Sequence, residues 1–165
     1  MSLFSFIKNA GEKIFGSSSE SKKKEAAAEA ENAAEAIAEA NKKAAARIEE
    51  TIADLGLEVE NLKVVINGET ATITGLAKDQ PTKEKAVLLT GNVEGISEVD
   101  DLLEVKETGP QAQFYTVVSG DSLSKIAKKY YGNAMKYPVI FEANKPMLSD
   151  PDKIYPGQVL RIPEL

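Results

Sequence analysis

The stretch from Glu20 to Leu55 constrains the fold most, because it contains neither glycine nor proline and consists mainly of alanine, glutamate and lysine. Alanine loses little entropy on entering a helix, and Glu39 and Lys43 form a favourable pair one turn apart. The stretch therefore predicts one long helix, which Gly56 ends. Its first two-thirds offer mainly alanine for burial, so we expect that part to be a solvated spacer.

The last turns of this helix carry a hydrophobic stripe. Its members fall at spacings of three and four residues and are Ala45, Ile48, Ile52 and Leu55. Residues at such spacings share one face of a helix. We therefore expect this face to pack on a core. An alanine seam along the earlier turns would bury too little area to favour a coiled coil.

A β-hairpin is predicted after the long helix. Val64 and Ile66 alternate with other residues before Asn67-Gly68, and Ala71 and Ile73 alternate after that pair. An Asn-Gly pair between two alternating runs is a strong hairpin signal. The threonines between the apolar positions are expected on the opposite face of the sheet.

A second helix and a third strand follow the hairpin. Asp79 with Pro81 favours a helix start, and Gly91 favours its end. The apolar residues of this helix are Ala86, Val87 and Leu89. The segment from Val93 to Val105 then returns as a strand. The predicted order is helix, strand, strand, helix, strand.

The composition excludes several classes of function. A net charge of −6 argues against a nucleic-acid-binding protein, since such proteins carry a clustered basic face. The chain has no cysteine and no histidine, which removes thiol nucleophiles, disulfides and the usual zinc and haem ligands. No nucleophile motif such as a glycine-flanked serine elbow appears. We therefore expect neither nucleic-acid binding nor enzyme activity.

The first residues are apolar, but they do not form a targeting signal. Lys8, Glu12 and Lys13 follow the apolar run from Met1 to Ile7 too soon for a signal-peptide core, and no stretch is long enough to span a bilayer. We therefore expect a cytoplasmic protein. The segment predicts a short amphipathic helix that stops near Gly11. Its polar face carries both charge signs, which favours docking onto the rest of the protein over binding to a membrane surface.

The C-terminal third predicts a strand, two helices and a final strand. The segment from Lys106 to Gln113, which holds Gly109-Pro110, has the composition of a linker. Asp121 is expected to cap the first of the two helices. The apolar residues of these helices are Leu123, Ile126, Ala127 and Tyr130 in the first, and Val139, Ile140 and Ala143 in the second.

Two sets of motifs resemble known domains. Ile73-Thr74-Gly75 and the run from Gly91 to Leu102 resemble a BON domain, whose mark is a glycine-hydrophobic step into the last strand. The runs from Phe114 to Leu123 and from Ile154 to Pro163 resemble the two ends of a LysM domain. The resemblance implies an α+β protein of two small domains, BON-like (αββαβ) and then LysM (βααβ). The expected boundaries are 1–19 for an N-terminal ion-binding segment, 20–105 for the BON domain, 106–113 for the linker and 114–165 for the LysM domain.

The LysM resemblance implies a groove for N-acetylated sugars. Its matching positions are the turn from Gly120 to Leu123, Asn144, and the loop from Ile154 to Pro156. Tyr155 could stack on a sugar ring. The same residues can equally shape turns and a helix cap, because a fold alone does not supply its usual function. Both interpretations stay open, and without an export signal the second is favoured.

The pairing of the two domains resembles a family of bacterial cytoplasmic potassium-binding proteins. The resemblance includes the run from Phe4 to Lys13 and the run from Asn144 to Gln158, and it extends over nearly the whole chain. It implies one potassium ion held by main-chain carbonyls from two stretches. At the matching positions the donors are Ile7, Ala10 and Glu12 from the first stretch, and Gly91, Val93 and Ile96 from the second.

The implied ligands are chemically reasonable for potassium. A helix that stops near Gly11 would leave its last carbonyls unpaired, and Gly91 and Gly95 would let a turn direct its carbonyls inward. Neutral carbonyls suit a weakly hydrated monovalent ion, whereas calcium or magnesium would need clustered carboxylates. Judged from the residues alone, these glycines simply stop helices and form turns. The family resemblance is what favours the ion site.

The resulting hypothesis is a monomeric cytoplasmic potassium sensor or buffer that becomes compact when it binds the ion. One alternative is an envelope protein that binds peptidoglycan or N-acetylglucosamine through the LysM groove. Another is a phospholipid-surface adaptor, a common role of BON domains, although the acidic charge and the missing signal argue against it.

Overall fold

The computed structural model describes residues 2–5 and 28–165. Ten regular elements occur within these ranges, joined by turns and by one short 3-10 turn at Ala134–Lys136. The elements are β1 (Ser2–Ser5), α1 (Ala28–Asp54), β2 (Val59–Asn67), β3 (Thr70–Asp79), α2 (Gln80–Gly91), β4 (Glu98–Glu107), β5 (Gln113–Thr116), α3 (Leu123–Tyr131), α4 (Tyr137–Ala143) and β6 (Val159–Ile162).

The BON part is a four-stranded mixed sheet in the order β1-β4-β3-β2. Strands β2 and β3 form the hairpin, β3 and β4 are parallel and connected through α2, and β1 is antiparallel to β4. Both helices pack against the sheet. The αββαβ order is therefore confirmed for residues 28–107. The core consists of Ala45, Ile48, Ile52, Val64, Ala71, Ile73, Ala86, Val87, Leu89, Val93, Ile96, Val99 and Leu103.

Helix α1 has the two parts that its sequence predicts. Ala45, Ile48 and Ile52 are buried in the core, and Leu55 packs against it. In contrast, residues 33–40 are all exposed, including Ile37 at 61%. The turns formed by residues 33–40 are therefore solvated, and the burial of α1 is provided by its last turns.

The hairpin turn lies one residue later than the Asn-Gly signal predicted. Asn67 is still paired, opposite Thr70, so the two residues of the turn are Gly68 and Glu69. Gly68 has a φ of +63°, the left-handed conformation that favours glycine at the first turn position. In this register Val64 lies opposite Ile73 in the core, and Ile66 lies opposite Ala71.

The first residues form a strand, not the start of the predicted helix. Strand β1 pairs with β4 through Leu3 opposite Asp100 and Ser5 opposite Glu98. Main-chain pairing with an otherwise open edge of β4 outweighs local helix preference here. Strand β4 itself begins at Glu98, later than the predicted Val93, because residues 93–97 form a turn. The predicted helix end near Gly11 lies outside the described residues.

The LysM part has the predicted βααβ order. Strands β5 and β6 pair antiparallel, and α3 and α4 enclose a second core with them. The buried residues of this core are Val117, Leu123, Ile126, Ala127, Ile140, Leu148, Leu160 and Ile162.

The predicted helix cap at Asp121 is wrong by one residue. Ser122 caps α3, since its Oγ accepts a hydrogen bond from the Lys125 N–H at 3.2 Å. The Asp121 carboxylate instead accepts from the Val118 N–H at 3.0 Å and from the Tyr115 hydroxyl at 2.7 Å. That hydroxyl bond raises the pKa of Tyr115 to about 12. Asp121 therefore closes the turn before the helix.

We expect Ile48→Ala to lower the free energy of unfolding by about 2–5 kcal/mol, because it opens a cavity at a fully buried position. The matched control is Ile37→Ala on the exposed part of the same helix, with an expected change within about 0.5 kcal/mol. Urea unfolding followed by circular dichroism measures both. Equal losses for the two variants would contradict the division of α1 into a solvated part and a packed part.

Candidate functional site

The candidate site begins where α2 ends. Gly91 is the last helical residue, and the Asn92 N–H donates to the Leu88 carbonyl at 2.9 Å. The Ile96 N–H donates to the Val93 carbonyl at 3.1 Å, which closes a tight turn. Gly95 lies within it at a φ of +92°, a conformation that side-chain-bearing residues rarely adopt. We call residues 91–96 the α2–β4 turn.

Buried side chains fix the main chain of this turn. Val93 and Ile96 belong to the core, whereas Glu94 and Gly95 are exposed. The Ser97 and Glu98 N–H groups both donate to the Glu69 carbonyl, at 2.8 and 3.2 Å, which ties the end of the turn to the hairpin. The turn is thus held at both ends.

The main-chain oxygens of the turn are chemically suited to a cation. A carbonyl oxygen has two lone pairs, so the Val93 carbonyl retains acceptor capacity beside its bond from Ile96. Among the side chains that the structure describes, from residue 33 onward, no three His, Cys, Asp or Glu gather as a metal site would require. The described part of the chain therefore offers neutral oxygens here and no carboxylate cage.

The structure brings together one half of the predicted ligand set. Gly91, Val93 and Ile96 lie in a single turn of six residues. The other three predicted donors, Ile7, Ala10 and Glu12, lie outside the described residues. Strand β1 precedes them in the chain, and its last residue, Ser5, is paired with Glu98, two residues after Ile96.

Sequence reasoning missed a contact between this turn and the LysM part. The Asn92 side chain donates through Nδ2 to the Val159 carbonyl and accepts through Oδ1 from the Val159 N–H, each at 3.2 Å. Both residues are buried. In a sequence, an Asn after a helix indicates only an ordinary helix end. No sequence signal links it to a strand located 67 residues later.

A second buried polar contact connects α2 to the LysM part. Glu84 Oε2 accepts a short hydrogen bond from Arg161 Nε, while Oε1 accepts from Gln80 Nε2 at 2.9 Å and from the Ala112 N–H at 3.0 Å. Both members of the ion pair are nearly inaccessible to solvent. The bond from the Ala112 N–H to Glu84 anchors the predicted linker to α2. Burial, together with the nearby Arg161 charge, lowers the pKa of Lys85.

The predicted glycan groove is only partly available. Asn144 is 2% exposed, and its side chain donates to the Ile140 and Arg161 carbonyls and accepts from the Arg161 N–H, at 2.7, 2.8 and 2.7 Å. Its amide therefore serves the LysM core. Two backbone bonds join the segments beside the other groove loops, from the Val117 N–H to the Gln158 carbonyl and from the Gly157 N–H to the Val117 carbonyl. Tyr155 is half-buried.

We expect Arg161→Met to lower the free energy of unfolding by about 3–5 kcal/mol, since it leaves the Glu84 carboxylate buried without its cation. Adding Glu84→Gln should recover part of this loss, because the amide oxygen can still accept from the Ala112 N–H. Urea unfolding of both variants measures the difference. A double variant that is less stable than Arg161→Met would contradict the buried-charge argument.

Comparisons with known proteins agree with this architecture. The BON domain family matches residues 40–107, and the LysM domain family matches residues 115–163. The potassium binding protein Kbp of Escherichia coli O6:H1 is 42% identical over 165 residues, which cover 99% of both chains. An uncharacterized protein of Deinococcus radiodurans is 36% identical over 113 residues, 62% of this chain and 44% of its own.

A shorter similarity involves an esterase. The esterase Rv1288 of Mycobacterium tuberculosis is 47% identical over 53 residues, which are 32% of this chain but only 11% of the esterase. So short a share carries no argument for esterase activity, whereas the match to Kbp extends over both domains. The chain therefore belongs to the Kbp family, and its two folded parts are a BON domain and a LysM domain.

Proposed function

We propose that the protein is a monomeric cytoplasmic potassium-binding protein, a sensor or buffer, which holds the ion through main-chain carbonyls of the α2–β4 turn and of residues 7–12. The near full-length similarity to a protein named for potassium binding carries this proposal. The geometry of the turn adds independent support.

The pairing of β1 supports the convergence of the two stretches. Residues directly opposite each other in antiparallel strands have Cα atoms about 4.5–5.5 Å apart, and Ser5 is opposite Glu98. Ile7 follows Ser5 by two residues, which span at most about 7 Å of main chain. Ile96 precedes Glu98 by two residues. The length of chain after Ser5 therefore allows Ile7 to approach Ile96.

The charge of the site supports a monovalent ion. The proposed ligands are uncharged, and replacing the hydration shell with carbonyl dipoles is less costly for potassium than for a small divalent ion. The net charge of −6 also enriches cations near the surface without selecting among them. Selectivity would come from the size of the cage and the number of its oxygens.

Ion binding would couple to folding by mass action. A ligand that binds only the folded form adds RT ln(1 + [K⁺]/Kd) to its stability, about 2.7 kcal/mol at one hundred times Kd. If the ion orders residues 7–12 against the α2–β4 turn, it also shifts the population toward a more compact form. Both effects can be measured without a partner protein.

We expect potassium chloride to raise the melting temperature in a saturable way and to reduce the hydrodynamic radius, whereas sodium chloride and choline chloride at the same ionic strength should do neither. Differential scanning fluorimetry and dynamic light scattering provide the two measurements. Equal responses to all three salts would show a general salt effect and would rule out selective potassium binding.

The turn geometry gives a second test. We expect Gly95→Ala to weaken potassium binding about fivefold or more, because a side chain at a φ of +92° adds strain and shifts the carbonyls on either side. The control is Gly56→Ala, which lies at a φ of +71° with open space around its Cβ, at the opposite end of the sheet. Calorimetric titration should show near-normal affinity for the control. An unchanged affinity in Gly95→Ala would contradict the placement of the site.

A further inference from the structure

We propose that Asn92 is a positioning residue of the potassium site, through which strand β6 of the LysM domain holds the ligand carbonyls on either side of it in place. The inference rests on the proposed function, since it assumes that Gly91 and Val93 supply ligands. It assigns the LysM domain a specific part in ion binding that needs no glycan.

The position of Asn92 in the chain is the first observation. Asn92 lies between two proposed donors, Gly91 and Val93. Its φ rotates the peptide that contains the Gly91 carbonyl, and its ψ orients the peptide that leads to Val93. These angles are −85° and 0°, in the sparsely allowed bridge region. A contact that holds Asn92 therefore restrains the Gly91 carbonyl directly, and the Val93 carbonyl through the peptide between them.

The hydrogen-bond pattern of Asn92 is the second observation. Its carboxamide donates to and accepts from the same residue, Val159, at 3.2 Å in both directions. Such a reciprocal pair resembles the pairing of two residues in a β-bridge. It restricts both the rotation of the Asn92 side chain and its distance from Val159. A carboxamide can do this because it carries both a donor and an acceptor. Alanine provides neither group, and an ionised aspartate provides only the acceptor.

The partner strand is rigid enough to act as a template. Val159 is paired with Thr116 of β5. Two residues later, the Arg161 main chain is bonded to the buried Asn144 amide. The β6 strand is therefore fixed on both of its sides. The Asn92 contact transmits that rigidity to the α2–β4 turn.

Reciprocity follows from this arrangement. If docking of β6 favours the ion-binding geometry of the turn, ion binding must favour docking of β6 by the same free energy. The bonded Val159 N–H reports on this link, because it lies in the other domain and is not a proposed ligand.

The test compares Asn92→Ala with Glu84→Gln. Both changes weaken the same interface from α2, but Glu84→Gln keeps a side-chain oxygen that can accept from Arg161 Nε, so β6 stays docked. Glu84 also lies about two turns before the α2–β4 turn. Potassium affinity is measured by calorimetry, and stability by urea unfolding without potassium. We expect Asn92→Ala to weaken potassium binding about tenfold, within the usual range of coupling between sites. We expect Glu84→Gln to reduce stability but to change potassium affinity by less than about twofold.

Asn92→Asp provides a second variant of nearly the same shape. It loses the donor to the Val159 carbonyl and adds a negative charge beside the site. If Asn92 acted only through local charge, Asn92→Asp would bind potassium more tightly than the wild type. If Asn92 acts as a positioning residue, Asn92→Asp binds potassium more weakly than the wild type. Tighter binding overturns the inference, and this variant serves if Asn92→Ala does not fold.

Amide exchange adds a readout that loss of stability alone would not produce. Potassium should slow hydrogen exchange of the Val159 N–H in the wild type and in Glu84→Gln, but not in Asn92→Ala. If the wild type does not respond to potassium, the proposed function fails and the inference with it. If the wild type responds and Asn92→Ala binds potassium as tightly as Glu84→Gln, only the inference is overturned.

Discussion

The burial of α2 on two sides is the constraint on which the rest of the structure depends. One side packs on β3 and β4, and the other contacts β6 of the LysM domain. Its buried residues accordingly include polar Gln80 and Glu84 besides the apolar run from Ala86 to Leu89. A helix enclosed in this way connects the two cores directly. Its C-terminal end therefore lies where both domains can influence it.

We expect the polar contacts across α2 to contribute more to specificity than to net stability. Removing Glu84 and Arg161 from water costs several kcal/mol per ion, which their attraction and the bonds from Gln80 and Ala112 roughly offset. A hydrophobic interface of similar area could slide. Here Glu84 and Asn92 each require one particular partner on β6, so the two domains fit together in one register.

Local rules predicted the parts of the fold that local physics decides. The stripe on α1, the hairpin and the start of α2 at Asp79 follow from side-chain periodicity, alternation and capping. The strand at Ser2–Ser5 does not, because its cause is a main-chain edge about a hundred residues away in sequence, at β4. The cap at Ser122 in place of Asp121 has a nearer cause, because the Asp121 carboxylate is already occupied by Tyr115 and the Val118 N–H.

The candidate site was predictable in one respect and unpredictable in another. Residue types suggested that Gly95 would form a turn, and its φ of +92° agrees. Nothing in composition or periodicity distinguishes a carbonyl that binds an ion from one that ends a helix, so the ligand set rested on family resemblance. The role of Asn92 was not predicted for a related reason, because its partner Val159 contributes only main-chain atoms. Every residue has these atoms, so a sequence does not indicate which of them form such a contact.

This arrangement changes what a LysM domain implies about function. The side of the domain that meets α2 uses the main chain of Val159 and the side chain of Arg161, and Asn144 is consumed in supporting that strand. Support of this strand therefore accounts for the burial of Asn144, one of the positions that the LysM resemblance assigned to a glycan groove. A LysM fold alone does not supply the function usual for it, so sugar binding by this domain does not follow from its fold.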